Sequence, residues 1–62
     1  MTAPDPNTSP AVKTLLGYVD EANAIARDCF ARGANELGME AILVAAHYLR
    51  AARAFQEMHD AG

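Results

Sequence analysis

Two apolar stripes of matching length, separated by a short segment that contains Gly33, constrain the fold of this chain more than any other feature. In both stripes, residues recur at alternating steps of three and four, which places their side chains on one side of an α-helix. The first stripe comprises Val12, Leu15, Val19, Ala22, Ala26 and Cys29, and the second comprises Ala41, Val44, Tyr48, Ala51, Phe55 and Met58. Two helices joined by a short turn pack against each other in opposite directions. The pattern therefore predicts an all-α fold, an antiparallel two-helix hairpin.

The start of helix 1 has a clear local signal. The hydroxyl of Ser9 can cap free amides, and Pro10 fits the first helical position, where its missing N–H costs nothing. We therefore expect helix 1 to cover residues 10–32. Residues 1–9 include two prolines and show no apolar periodicity, so they are predicted to form a flexible arm.

The turn and the second helix follow from the next few residues. Gly33 suits the left-handed backbone conformation that ends many helices. Asn35 is the predicted N-cap of helix 2, which should run over 35–59. The hairpin and its ends make one domain, residues 10–62.

The small size of the chain predicts self-association. A chain of 62 residues buries only about 60% of the surface that its unfolded form exposes, and a single cysteine cannot make an intramolecular disulfide. A second apolar stripe on helix 2 would be exposed in a lone hairpin. We expect it to form the interface of a two-fold homodimer, a four-helix bundle. This predicted dimer stripe comprises Ile42, Ala45, Leu49, Ala52 and Gln56.

Antiparallel pairing also predicts which residues meet across the hairpin. Ala22 is expected to face Tyr48 in the core. Opposite charges on the flanks are expected to pair: Lys13 with Glu57, and Arg50 and Arg53 with Asp20 and Glu21. Whether the two arginines are ion-paired or contact a ligand is left open by the sequence.

No residue set in the chain resembles a catalytic or metal centre. Glu40 and His47 lie two turns apart on one edge of helix 2, with Glu36 close to the same line, but a rise of about 10 Å separates the first two. That is too far for one ion, so a solvated helix edge is expected. Cys29 falls on the core stripe at the helix C-terminus, where the dipole does not favour a thiolate. Neither an enzymatic activity nor a cofactor is expected.

Charge narrows the class of partner. The net charge of −3 and the pI near 5.0 disfavour a surface that seeks nucleic acid or an anionic membrane. No basic region precedes an apolar run at the N-terminus, so no signal peptide is predicted. A lone thiol without an export signal predicts a reducing, cytoplasmic location.

The segment from Ala34 to Val44 supports a rival hypothesis. Alanine, a glycine four residues later and an apolar residue six beyond that are typical of the turn in a helix-turn-helix module. Helix 2 would then be a recognition helix, and the protein a small DNA- or RNA-binding regulator. Residues 41–46 offer no polar or basic side chain to a groove, which counts against this interpretation.

We expect instead a non-enzymatic interaction module, a regulator, inhibitor or adaptor that binds another protein through its helix faces. Small side chains on the back of helix 1 would let a partner helix approach closely. The predicted partner surface comprises Gly17, Ala24 and Ala31 on helix 1, and Leu43 and Ala54 on helix 2.

Overall fold

The computed structural model describes residues 9–61, which form two α-helices and the turn between them. Helix α1 spans Pro10–Ala31, and helix α2 spans Asn35–Ala61. Within this range no strand is present. The predicted all-α hairpin is confirmed, with helix ends close to the expected ones. The predicted flexible arm lies outside the described residues, apart from Ser9.

Helix α1 begins as its local sequence predicts. The Ser9 hydroxyl accepts a hydrogen bond from the backbone N–H of Val12 at 3.2 Å, and Pro10 is the first helical residue. This cap satisfies one of the amides that a helix start leaves without an intrahelical partner.

The turn is a compact helix-ending motif centred on Gly33, whose φ is +80°. The N–H of Ala34 donates to the carbonyl of Cys29 at 2.8 Å, and the N–H of Gly33 donates to Phe30 at 3.1 Å. These two bonds are the Schellman pattern, which needs a left-handed residue and therefore favours glycine.

Helix α2 starts one residue earlier than an Asn35 cap requires. The N–H of Gly38 donates to the carbonyl of Ala34 at 3.0 Å, which puts Ala34 in the N-cap position. The prediction that Asn35 is the N-cap is wrong because the tight turn already holds this residue in helical conformation.

The core between the helices consists of small side chains. Val12, Ala22, Ala26, Ala45 and Ala52 are 2–6% exposed, and Gly38 is also buried. On α1 the predicted stripe is confirmed, because all six of its residues are buried or half-buried. Small side chains at the line of contact allow two helix axes to lie close together.

On α2 the predicted core stripe is wrong in half of its members. Val44 and Phe55 are 46% exposed and Met58 is 69% exposed. The helix is rotated so that Gly38, Ala45 and Ala52 meet α1. Large side chains then lie on both sides of the contact line instead of on it, since the closely packed backbones leave them no room.

The structure also shows which side chain the Tyr48 ring contacts. It lies 5.3 Å from the ring of Tyr18, which is one helical turn along α1 from the predicted partner Ala22. Both tyrosines are equally distant from Gly33 along the chain. The compact turn reverses the chain at this glycine and thereby sets which residues face each other.

The ion pairs predicted across the hairpin are not formed among the described residues. Among residues 9–61, Arg50 and Arg53 make no salt bridge to Asp20 or Glu21, and Lys13 makes none to Glu57. The salt bridge in this range joins Arg32 Nε to Asp28 Oδ2 at 3.0 Å, with both side chains largely exposed. Such an exposed pair contributes under about 1 kcal/mol to stability.

Neither helix has a stretch apolar enough, over a sufficient length, to cross a lipid bilayer; this holds for the part of the chain that the structure describes.

Candidate interaction surfaces

Because the two helices lie side by side, the hairpin has two broad faces, one on each side of the contact line. The first is marked by the pair of rings of Tyr18 and Tyr48, which are tilted by 46°. Residues on this side of the hairpin are related to the tyrosines by helical spacing. We define the tyrosine face by the apolar side chains that lie there: Tyr18, Ile25, Leu37, Val44, Tyr48, Ala51 and Phe55. Glu21, three residues after Tyr18, lies at the outer border of this face on α1.

The tyrosine face is apolar and open to solvent. Ile25 is 57% exposed and Leu37 is 64% exposed, while Val44 and Phe55 are each 46% exposed. Large apolar side chains that are contiguous on a surface usually mark a contact with another molecule.

The opposite face contains a shallow groove of about 260 Å³ between the helices. The groove is lined by Val12, Leu16, Leu49, Ala52, Arg53 and Gln56. Towards the turn, the Phe30 ring covers Gly38, where a Cβ atom would lie 2.7 Å from the ring. This groove face is apolar at its centre but has the Arg53 guanidinium and the Gln56 amide at its border.

Of the two polar side chains at the groove, one forms a hydrogen bond within its own helix. The Gln56 side-chain amide donates to Asp60 Oδ1 at 2.9 Å, one turn further along α2. Arg53 is exposed and forms no salt bridge with a described acidic residue. An arginine at the edge of an apolar groove can cover it with its methylene groups while the charge stays in water.

The predicted dimer stripe is divided by the structure. Ala45 and Ala52 are buried against α1 within the same chain, at 4% and 2% exposure. Leu49 and Gln56 are half-buried in the groove, and Ile42 is exposed on the same side. The two alanines therefore cannot offer a surface to a second chain, because the hairpin itself uses them.

All five residues of the predicted partner surface are exposed: Gly17, Ala24, Ala31, Leu43 and Ala54. Gly17 has open space where a Cβ atom would be. Next to Leu43, the side chain of Met39 is also exposed, and the two make an apolar outer edge on α2 that points away from α1. The sequence predicted Leu43 at this edge but missed Met39, although the spacing of four residues was a visible signal.

The candidate metal and thiol residues do not form a centre. Glu36, Glu40 and His47 are exposed, and the described residues contain no group of three acidic, histidine or cysteine side chains that could hold a metal ion. Cys29 is half-buried on the stripe where it was predicted. Its carbonyl caps the turn, so its described role is structural.

The angle between the two helices differs from that in a helix-turn-helix module. In that module the second helix crosses the first at a large angle. Here α2 stays beside α1, from the contact of Phe30 with Gly38 near the turn to the groove between Val12 and Gln56 at the far end. Arg50 and Arg53 are nevertheless exposed and lack acidic partners among residues 9–61.

Sequence reasoning missed the tyrosine face because it assigned Val44 and Phe55 to the core. One signal could have revealed it. Gly38, Ala45 and Ala52 recur every seven residues, and a stripe of small residues is as good a line of helix contact as a stripe of large ones.

Comparison with known proteins leaves the function to be argued from these surfaces. No family model, no curated protein and no solved structure matches the chain.

Proposed function

We propose that this protein is a non-enzymatic interaction module that self-associates and binds another protein through its exposed helix faces. The observation that supports the proposal is that small side chains are buried between the helices while large apolar side chains are exposed. Alanines fill the core, while Ile25, Leu37 and Leu43 are each more than half exposed. Exposed apolar side chains gain about 25 cal/mol for each Å² that a partner covers.

The energetic need for a partner follows from the same distribution. No side chain among the described residues is less than 2% exposed, so the hairpin buries little of its larger apolar side chains. Chains of this size commonly depend on a disulfide, a metal or association for stability. The chain has a single cysteine and cannot form an intramolecular disulfide, so we propose that association with another chain stabilises the hairpin.

Two surfaces are proposed to contact the other protein. The back of α1, along Gly17, Ala24 and Ala31, has small side chains that let a partner backbone approach closely. The outer edge of α2 offers Leu43, which is 62% exposed, and Ala54. An apolar helix edge of this kind suits a groove or a helix on the partner.

Affinity capture with the tagged chain tests this proposal. We expect the captured protein to be lost with Ala24→Arg and with Leu43→Glu, because each places a charge in the proposed contact. The control is Arg53→Glu, which also changes charge at an exposed position but lines the groove, outside both surfaces. Circular dichroism should show unchanged helix content in all three variants.

The result that contradicts the proposal is equally concrete. Capture that survives Ala24→Arg and Leu43→Glu, singly and combined, would show that neither surface is a contact site.

A second candidate function, a small DNA- or RNA-binding regulator, is favoured by one observation. Arg50 and Arg53 are exposed and not neutralised by acidic partners in the described part of the chain, so both could reach phosphates. The net charge of −3 opposes this function, because phosphate binding is driven mainly by basic charge.

A mobility-shift assay at low salt separates the two candidates. Sequence-selective binding that Arg50→Ala and Arg53→Ala abolish, and that weakens steeply with salt, would favour the regulator. Under the interaction-module proposal, neither substitution changes affinity for nucleic acid, because there is none to lose.

A further inference from the structure

We infer that the tyrosine face binds the tyrosine face of a second copy of this chain, so that two hairpins form a two-fold homodimer. The inference rests on the proposed function and deepens it by naming the self-association surface. That surface differs from the predicted dimer stripe, of which Ala45 and Ala52 are buried within the chain.

The chemistry of the tyrosine face suits contact with itself. In a two-fold interface the same patch is used on both copies, and side chains near the axis meet their own counterparts. A charged group there would meet a like charge. The seven side chains that define the tyrosine face are uncharged, and the charged Glu21 lies at its outer border, away from the line between the helices. The two tyrosines are of the type enriched in interface cores.

The size of the face fits a stable dimer. A helix of 22 residues is about 33 Å long, and two adjacent helices are about 20 Å across, which gives a face of about 660 Å². A specific interface of standard size buries about 800 Å² of accessible surface on each partner. Contact across the whole length of α1 therefore supplies an area of the required order.

The groove face is less suited to pairing with itself. The Arg53 guanidinium borders its groove, and no described acidic side chain neutralises it there. Two such faces in contact would draw an arginine from each copy into an apolar interface. Removing an unpaired charge from water is strongly unfavourable.

Three consecutive positions on α2 provide a matched test. Ile42 lies on the groove face, Leu43 on the outer edge and Val44 on the tyrosine face, at exposures of 43%, 62% and 46%. Each residue is changed to glutamate, and sedimentation equilibrium measures the dimer dissociation constant. Because the interface contains position 44 twice, we expect Val44→Glu to raise this constant by at least about 100-fold. Ile42→Glu and Leu43→Glu should change it by less than about threefold.

A second pair of variants covers the case in which Val44→Glu unfolds on dissociation. Val44→Ala and Ile42→Ala both introduce the residue with the highest helix propensity, so helix formation is not at risk. We expect Val44→Ala to weaken the dimer by about tenfold and Ile42→Ala to leave it unchanged.

Each outcome decides the inference separately from the proposed function. A dimer that resists both changes at Val44 overturns the inference, whatever the changes at Ile42 do, while binding of another protein can still be lost with Leu43→Glu. A wild-type chain that remains a folded monomer at millimolar concentration overturns it as well. Loss of partner capture in Leu43→Glu, with the dimer intact, separates the partner surface from the dimer surface.

Discussion

The two helices differ in how apolar side chains are distributed around their axes. The outer side of α1 combines exposed charged residues, such as Lys13, Asp20 and Arg27, with small ones, and most of its large apolar residues lie towards α2. In α2 apolar residues occur on the contact line, on both flanks and at the outer edge, where Leu43 is 62% exposed. Helix α1 is amphipathic in the ordinary sense, whereas the turn-proximal half of α2 is apolar around most of its circumference, apart from the exposed edge of Glu36, Glu40 and His47.

This difference shows when periodicity identifies a buried face. On α1 one stripe is apolar, so the stripe and the buried face coincide. On α2 three apolar stripes could each form the buried face, and the largest side chains are not the ones that are buried. The close approach of the helices selects Ala45 and Ala52, and leaves Val44 and Phe55 for contacts outside the hairpin.

The largest expected effect comes from a charge on the contact line of α2. Ala52→Glu places a carboxylate where the side chain is 2% exposed, whereas Ala54→Glu places it on the surface. We expect the first to lower the free energy of unfolding by about 3 kcal/mol, and the second by less than about 0.5 kcal/mol. Urea unfolding followed by circular dichroism, at one fixed protein concentration, measures both.

Equal stability of these two variants would contradict the conclusion that α2 buries its alanines instead of its large apolar side chains. It would mean that α2 meets α1 through Val44 and Phe55, as its heptad pattern first suggests, and that the alanine stripe faces outward.

A second prediction concerns the close contact of Phe30 with Gly38 near the turn. A Cβ atom at position 38 would lie 2.7 Å from the ring, so the ring must move. Alanine gains about 1 kcal/mol over glycine in a helix interior, but overpacking costs about 1–3 kcal/mol. We therefore expect Gly38→Ala to destabilise the hairpin by about 1 kcal/mol, and to stabilise it by a similar amount in a Phe30→Ala background.

A double-mutant cycle measured by thermal unfolding supplies the coupling between positions 30 and 38. A coupling near zero would mean that the ring does not lie over the glycine, and that the groove face is more open at this end.

A third prediction, with an expected effect of similar size, tests the back of α1. Gly17 is exposed with nothing within 4 Å of a built Cβ atom, so Gly17→Ala should raise the free energy of unfolding by about 1 kcal/mol. Gly33→Ala is the matched control, because its φ of +80° should make the same change destabilising by about 1 kcal/mol. Stabilisation at both positions would show that the turn does not need its left-handed residue.

Much of the fold can be predicted from the sequence because its signals are local. The Ser9-Pro10 start, the glycine turn and the α1 stripe each depend on residues within a few positions of one another. The exposure of the residues proposed for partner binding also follows from periodicity, since Gly17, Ala24 and Ala31 lie opposite the α1 stripe. The exposure of the predicted dimer stripe could not be predicted from periodicity, because α2 has more than one apolar side.

What the sequence by itself determined is therefore the two helices, their turn and the buried side of α1, all of which are set by backbone conformation and by one unambiguous stripe. The tertiary structure alone decided the rotation of α2, the register that brings Tyr48 to Tyr18, and the absence of the expected pairs between Arg50 or Arg53 and the acidic residues of α1. These features depend on how closely the two helices approach each other. That distance is a property of the packed pair, and the sequence of a single helix does not contain it.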